Sequence, residues 1–206
     1  MTLKQAEFDS YYNKELQYIK WFEPYIQPKM LDEWNNQSIR AGMWLLDVGG
    51  GCSLDSIFYA SNGIHTVVLD FSENALNKLK KLADFYGVKI ECENASILSV
   101  PERLSNKFDI LTDNGCFHHI EPEYRLQYIN SASHLLKKGG LLYIRAISEY
   151  VPPSTDNSLS AYRISADDIT RKEFLDKFKL VEMSLFDYIL NPRGRQKIWF
   201  IKLQRR

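Results

Sequence analysis

The segment Trp44-Leu45-Leu46-Asp47-Val48-Gly49-Gly50-Gly51-Cys52-Ser53 decides how this chain folds. Its first half is apolar enough for a buried strand over about 44–49, and it runs straight into three glycines. Leu54, Ile57 and Phe58 then fall at i, i+3 and i+4 and open an amphipathic helix over about 52–61, with Asn62-Gly63 as its stop. A strand that ends in glycines beneath a helix N-terminus gathers backbone N–H groups around a ligand. A second apolar strand, about 64–70, ends in Asp70, which lies 19 residues beyond Gly51. A carboxylate at that distance in a β-α-β unit is placed for the hydroxyls of a ribose. The residues therefore imply a nucleoside-containing ligand.

Two familiar nucleotide loops fail on these residues. A dinucleotide fingerprint needs a third glycine for close helix–strand packing, and counted from Gly49 that position is Leu54. A Walker-type phosphate loop needs Gly-Lys-Ser/Thr after the glycines, and none follows.

Beyond Asp70 strands and helices keep alternating. Ser72 caps a helix whose buried stripe reads Leu76, Leu79, Leu82, Ala83 and Tyr86, and Gly87 stops it. Strand three is expected at Val88–Cys92 and strand four at Phe108–Thr112, ending in Asp113. Pro122 suits the first turn of a helix that turns Tyr128, Ile129, Ala132, Leu135 and Leu136 inward. Lys137 and Lys138 complement the C-terminal dipole of that helix, and Gly139-Gly140 terminates it. Strand five is Leu141–Ile147, followed by a loop at 150–160. Ser165-x-x-Asp168 reads as a capping box before a helix carrying Ile169, Phe174, Leu175 and Phe178. Leu180–Leu190 and Lys197–Leu203 flank Asn191-Pro192-Arg193-Gly194-Arg195-Gln196 as an antiparallel hairpin. The whole is an α/β chain: a doubly wound, seven-stranded Rossmann-like sheet, mostly parallel, with an antiparallel C-terminal hairpin.

Residues 1–43 precede the first strand and read as an N-terminal helical cap or lid on a ligand-binding domain of residues 44–206. Phe8, Tyr11, Tyr12, Leu16, Ile19 and Phe22 follow helical spacing, Pro24 and Pro28 break it, and Leu31, Trp34 and Ile39 suggest a second short helix. Eight of the chain's aromatics lie in this stretch. They either pack the cap on the sheet or, as with Tyr12 and Trp21, line a substrate site; different residues can serve each purpose.

Lys plus Arg and Asp plus Glu both number 26, so no global field exists to hold a polyanion. That speaks against nucleic acid as the main partner. Three cysteines without C-x-x-C spacing suit free thiols in a cytoplasm better than a disulfide framework. No apolar run approaches a membrane span.

An acid two residues ahead of the glycines remains to be placed. Asp47-Val48-Gly49-Gly50-Gly51-Cys52-Ser53 resembles the first motif of class I S-adenosylmethionine-dependent methyltransferases, Asp/Glu-x-Gly-x-Gly-x-Gly, with Ser53 in place of the last glycine. The resemblance runs from about Leu45 to Leu203 and includes the terminal hairpin. It implies S-adenosylmethionine as cofactor. Gly49, Gly50, Gly51 and Ser53 would surround its methionine end, with Asp47 orienting the loop or receiving the ammonium. Asp70 would take the ribose hydroxyls, Phe71 would pack on the adenine, and Asn94-Ala95 would stand where the family has an acid for the adenine amino group. Asp113-x-Gly115, Ile120-x-Pro122, Arg125 and Tyr128 are similar to thiopurine-type and other small-molecule methyltransferases, which adds Asp113 and Gly115 to the cofactor side. The alternative for Asp47 and Asp70 is that of ordinary strand-end carboxylates.

Methyl transfer from a sulfonium is an in-line displacement governed by alignment. A base is needed only if the acceptor is a hydroxyl or a protonated amine. His118 and His119, after strand four, are the candidates, against a purely structural role for either. Two adjacent histidines without a third ligand make no metal site. Arg145, Tyr150, Tyr162 and Arg193 are the polar candidates for a small-molecule acceptor, against solvated surface positions. A cofactor-binding scaffold without turnover, or an enzyme acting on RNA or protein, are the other readings of the same fold. The acceptor, the atom methylated and the oligomeric state are not legible here.

Overall fold

The computed structural model describes residues 3–152, 161–190 and 194–206. Seven strands form a sheet in the order β3-β2-β1-β4-β5-β7-β6: β1 Trp44–Val48, β2 His65–Asp70, β3 Glu91–Asn94, β4 Phe108–Asn114, β5 Leu136–Ile147, β6 Phe178–Leu190 and β7 Gly194–Arg205. β1 to β2, β2 to β3 and β4 to β5 are parallel, while β7 runs antiparallel to β5 and β6. This is the α/β architecture with a terminal hairpin that the alternation of elements implied. The chain divides into two compact units, Met1–Ser96 and Ile97–Arg206.

In the first unit β1 and β2 are interior strands. Leu45, Leu46, Val48, Val67, Val68 and Leu69 are all buried, as a strand covered on both faces requires. The helices are α1 Leu3–Tyr11, α2 Pro28–Asn35, α3 Leu54–Ser61 and α4 Glu73–Tyr86. Ser53 caps α3 by accepting the Asp55 N–H at 3.0 Å, and Ser72 caps α4 by accepting the Ala75 N–H at 3.1 Å. Gly87 closes α4 in the left-handed conformation, φ +67°. Tyr12 and Ile19 from the N-terminal segment join Cys52, Ile57, Val68, Leu76 and Leu79 in one apolar cluster, with Trp21 and Phe22 against it.

Several expected bounds shift in this unit. The first helix ends at Tyr11 rather than running on to Phe22, and a single 3₁₀ turn follows at Leu16–Tyr18. Pro28 does not break a helix but begins one, as its missing N–H allows. Tyr86 is 51% exposed, because α4 turns its last residues to solvent. Strand three begins at Glu91, not Val88: the Val88 N–H still closes the helix end on the Ala83 carbonyl, and pairing with β2 starts at Val67↔Glu91.

In the second unit α5 is Arg125–Leu135, α6 Ala166–Thr170 and α7 Lys172–Lys177. Pro122 opens a 3₁₀ turn ahead of α5. Lys137 to Gly140 are not a helix end. They form a bulge in β5, since Phe108 pairs with Leu136 and Ile110 with Leu141. Lys137 ion-pairs with Asp109 at 2.8 Å across that bulge. The expected single helix through Phe178 is two, broken where Arg171 turns extended at ψ 148°. The three cysteines are free, and among the described residues no helix is long and apolar enough to cross a membrane.

Candidate active site

The strand register of the first unit sets its chemistry. Val48 pairs with Leu69 and Asp70 with Asn94, so the glycine loop, Asp70 and Asn94 follow one another at neighbouring strand ends. The Gly49 N–H extends this pairing onto the Leu69 carbonyl at 2.7 Å.

Asp70 organises the loop. Its Oδ2 accepts the Gly51 N–H at 2.9 Å and its Oδ1 accepts the Ser72 N–H at 2.8 Å. Each oxygen so engaged keeps acceptor capacity for a hydroxyl. Burial pushes its carboxyl up to about 6; the Ser72 and Gly51 amides oppose the rise, and the Asp47 and Asp9 charges add to it.

The glycines are required sterically. A Cβ at Gly50 would lie 2.5 Å from Asp47 Oδ2, and one at Gly51 would lie 2.4 Å from the Tyr12 hydroxyl oxygen. Gly51 also holds φ +57°, where a side chain is strained. Asp47 is buried, and its Oδ2 accepts the Ser56 hydroxyl at 2.6 Å. Asn94 Nδ2 donates to the Asp70 and Phe71 carbonyls at 3.1 and 3.0 Å, which leaves Oδ1 as the amide's acceptor. The Ala95 N–H is taken up by the Asp70 carbonyl at 3.1 Å. The Ser53 hydroxyl is occupied as the cap of α3.

Tyr12 and Trp21 join this group. Trp21 Nε1 donates to the Tyr12 oxygen at 2.9 Å. Burial first, and the Asp70 charge next, hold the Tyr12 phenol well above its ordinary range, so it stays a donor. Phe8 meets Trp21 and Phe71 edge to face, at 5.4 and 6.0 Å between centroids.

The second unit gathers Asp113, Gly115, His118, His119 and Tyr162. Asp113 Oδ1 accepts the Cys116 and Phe117 N–H groups at 2.8 and 3.1 Å, and Oδ2 accepts the Tyr128 hydroxyl at 2.7 Å. Gly115, at φ +102°, makes room for the His118 ring: a Cβ there would lie 3.3 Å from its Cε1. His118 Nδ1 accepts the Ile147 N–H at 3.2 Å, and the His118 carbonyl accepts the Tyr162 N–H at 2.7 Å. An accepting Nδ1 puts the neutral ring's proton on Nε2. The His119 ring stands 4.6 Å from that of His118.

Buried Arg125 fixes the segment that carries Tyr162. Its guanidinium pairs with Asp168 at 2.6 Å and lies 5.5 and 5.8 Å from the Phe117 and Tyr162 rings. Burial alone would raise the Asp168 carboxyl, but the Ser165 amide and hydroxyl with Arg125 and Arg171 outweigh it and hold it below the usual carboxylate range. Arg145 sits in β5 opposite Asn114 and Phe200. Tyr150 is 63% exposed beside Trp199. Arg163 spends its guanidinium on the Val151, Ala161 and Pro152 carbonyls. Arg193 lies outside the described residues. No group of three or more His, Cys, Asp or Glu side chains able to hold a metal exists among the described residues.

Sequence reading missed the partners that hold these groups: Ser56 for Asp47, Tyr128 for Asp113, Asp9 for Ser72 and Asp168 for Arg125. The capping box at Ser165 was the one available signal, and it said nothing of Arg125.

Comparison with known proteins bears on the family and the fold. Residues 46–142 match the family model described as a methyltransferase domain. The chain is 28% identical over 156 residues to a ubiquinone biosynthesis O-methyltransferase of Dechloromonas aromatica, covering 72% of this chain and 65% of that protein. It is 30% identical over 107 residues to an uncharacterised methyltransferase of Schizosaccharomyces pombe, covering 51% of this chain and 72% of the relative. The chain thus spans just under two thirds of the ubiquinone-biosynthesis relative. In fold it is similar to a Burkholderia thailandensis 1,6-didemethyltoxoflavin N1-methyltransferase solved with S-adenosylhomocysteine. There the TM-score is 0.75 at 18% identity, over 98% of this chain and 86% of the other.

Proposed function

This chain belongs to the class I S-adenosylmethionine-dependent methyltransferases, and on that premise we propose that it transfers a methyl group to a small-molecule acceptor. The observation that carries the reading is the buried Asp70 carboxylate, tied to Gly51 and Ser72 and level with Asn94. The residues fit S-adenosylmethionine, the family's cofactor: side-chain-free backbone at Gly50 and Gly51, and a strand-end carboxylate with acceptor capacity left for two ribose hydroxyls. When bound, it supplies an electrophilic methyl group on a sulfonium.

Within this reading the chain's groups divide the tasks. Asp70 accepts the ribose hydroxyls, Asn94 Oδ1 accepts from the adenine amino group beside Ala95, and Phe71 packs on the ring. Gly49 to Gly51 line the methionine end, while Asp47, held by Ser56, and Ser53, capping α3, hold the loop in shape. Asp113 and Gly115 shape the loop after β4. His118 acts as a hydrogen-bond donor from Nε2, because its acceptor nitrogen, Nδ1, is already taken by the Ile147 N–H. His119 is then the general base for a hydroxyl acceptor. Tyr162, Arg145 and Tyr150 remain the acceptor-side candidates.

The ubiquinone-biosynthesis relatives favour oxygen as the methylated atom. The absence of net charge favours a small molecule over RNA. Residence in the cytoplasm is part of the same proposal, since three free thiols suit a reducing compartment. The test is incubation with methyl-labelled S-adenosylmethionine and a panel of phenols, bulk RNA and protein extract. We expect label in the small-molecule fraction, lost in His119→Ala with S-adenosylhomocysteine affinity intact. Label confined to RNA or protein would overturn the acceptor class.

A further inference from the structure

The hydrogen bonds around Gly51 lead out to α1. Gly51 donates to Asp70, and Asp70 accepts from the Ser72 amide. The Ser72 hydroxyl donates to Asp9 Oδ1 at 2.5 Å. Three residues further along the chain, Tyr12 returns to Gly51, its hydroxyl oxygen resting where a side chain at that position would stand. The hydrogen bonds therefore run from the glycine loop to the end of β2, to the cap of α4 and to α1, and Tyr12, the residue after α1, comes back against the loop by close approach.

Asp9 is the link made by a side chain of α1. Besides Ser72 it accepts the Asn74 Nδ2 at 2.8 Å and the Asn74 backbone N–H at 3.4 Å. It thus supplements the cap of α4 from another helix. The nine residues of α1 are too few to hold a helix in place by backbone bonding alone. Its position rests on tertiary contacts, among them Asp9 as a directional one and the Phe8, Trp21 and Phe71 rings as apolar ones. Tyr12 takes the Trp21 N–H on its oxygen, so its own proton points elsewhere.

We propose that Asp9 is a positioning residue for cofactor binding: it latches α1 to the start of α4 and so keeps the Tyr12 hydroxyl on Gly51, where it donates to the carboxylate of the cofactor's methionine portion. This rests on the assignment of the glycine loop and Asp70 to S-adenosylmethionine. It moves Tyr12 from the acceptor side to the donor side. It also predicts that Asp9 matters only for ligands that carry the amino-acid portion.

Two probes separate the proposal from the assignment beneath it. S-adenosylhomocysteine carries the methionine-type carboxylate; 5′-methylthioadenosine keeps the adenosine and lacks it. Calorimetric titration of both into the wild type, Asp9→Ala, Asp9→Asn, Tyr12→Phe and the Asp9→Ala/Tyr12→Phe double variant, with thermal melts in parallel, is the experiment. Asp9→Ala and Tyr12→Phe should each weaken S-adenosylhomocysteine by about tenfold or more, the size of one hydrogen bond to a charged group. Neither should change 5′-methylthioadenosine by more than about twofold. The double variant should be no weaker than the weaker single, since both losses act through one contact. Asp9→Asn, which keeps an oxygen for Ser72, should recover most of the affinity. Equal weakening of both probes, additive losses, or unchanged affinity in Asp9→Ala would overturn the latch. Failure of the wild type to bind either probe would instead overturn the cofactor assignment itself.

Discussion

Asp70 and Asp113 are two strand-end aspartates that do opposite things with the same chemistry. Both are buried, at 6% and 2% exposure, and both accept N–H groups from the loop that follows. Asp113 takes two amides and a phenol, and with them it bends the segment after β4 into a 3₁₀ turn at Phe117–His119. Its partner Tyr128 is held as a neutral donor, burial first and the Asp113 charge next pushing its phenol well above the ordinary range. Asp70 takes only backbone amides, one from its own loop and one from the glycine loop. Among the described residues no phenol donates to it, and burial raises its pKa to about 6. A carboxylate saturated by its own protein suits a scaffold; one left short of donors in a buried place has acceptor capacity for a ligand, the role proposed for Asp70.

Substitutions test that distinction. Asp70→Ala should weaken S-adenosylhomocysteine by about 1,000-fold, roughly 4 kcal/mol, with the protein still folded. Asp113→Ala should instead lose about 3–4 kcal/mol of unfolding free energy in urea, because Tyr128 and two amides are orphaned in the core. Its cofactor affinity, measured on the folded protein, should stay within about threefold of wild type. If Asp113→Ala abolished binding without loss of stability, the two aspartates would not differ as described.

The pH dependence follows from Asp70. Its folded value of about 6 lies above the unfolded carboxylate value, so between roughly pH 4 and 6 the native protein binds more protons than the unfolded chain. This group's contribution to the stability of the free protein therefore falls as pH rises through that window, by up to about 3 kcal/mol. Cofactor affinity should move the other way, declining as pH drops below about 6, where the carboxylate is lost. Calorimetric titrations across pH 5–8 should show this in the wild type and not in Asp70→Asn.

Arg125→Ala should cost about 2 kcal/mol, less than the roughly 3–5 for a deeply buried pair, because Asp168 keeps its Ser165 bonds and some solvent access. Since the folded Asp168 carboxyl lies below the usual range, its stabilisation is present above the unfolded value and disappears as acid protonates it. The smallest effect is Ser56→Ala, about 1 kcal/mol in stability. It should weaken cofactor binding only slightly if Asp47 acts on the loop rather than on the ligand, and denaturation with parallel titration reads both.

Local chemistry wrote most of the elements into the sequence. The run from Trp44 to Ser53, the caps at Ser72 and Ser165, and Gly87 after α4 are short-range signals, because hydrophobic periodicity and capping act within a turn or two of the chain. The spacing from Gly51 to Asp70 was legible for the same reason: one β-α-β unit measures it out. Where the reading slipped at Val88 and at Lys137–Gly140, the same residues satisfy two local structures and strand pairing chose between them.

What the tertiary structure alone decided is which polar groups meet. Asp9 and Ser72 are 63 residues apart, Arg125 and Asp168 are 43 apart, and Asp113 and Tyr128 are 15 apart. Such contacts leave no period in the chain, so the sequence could offer Asp70 and Asp113 as candidate site residues but not say that a core phenol donates to one and only backbone amides to the other. That difference is made by the donors that folding delivers to each carboxylate.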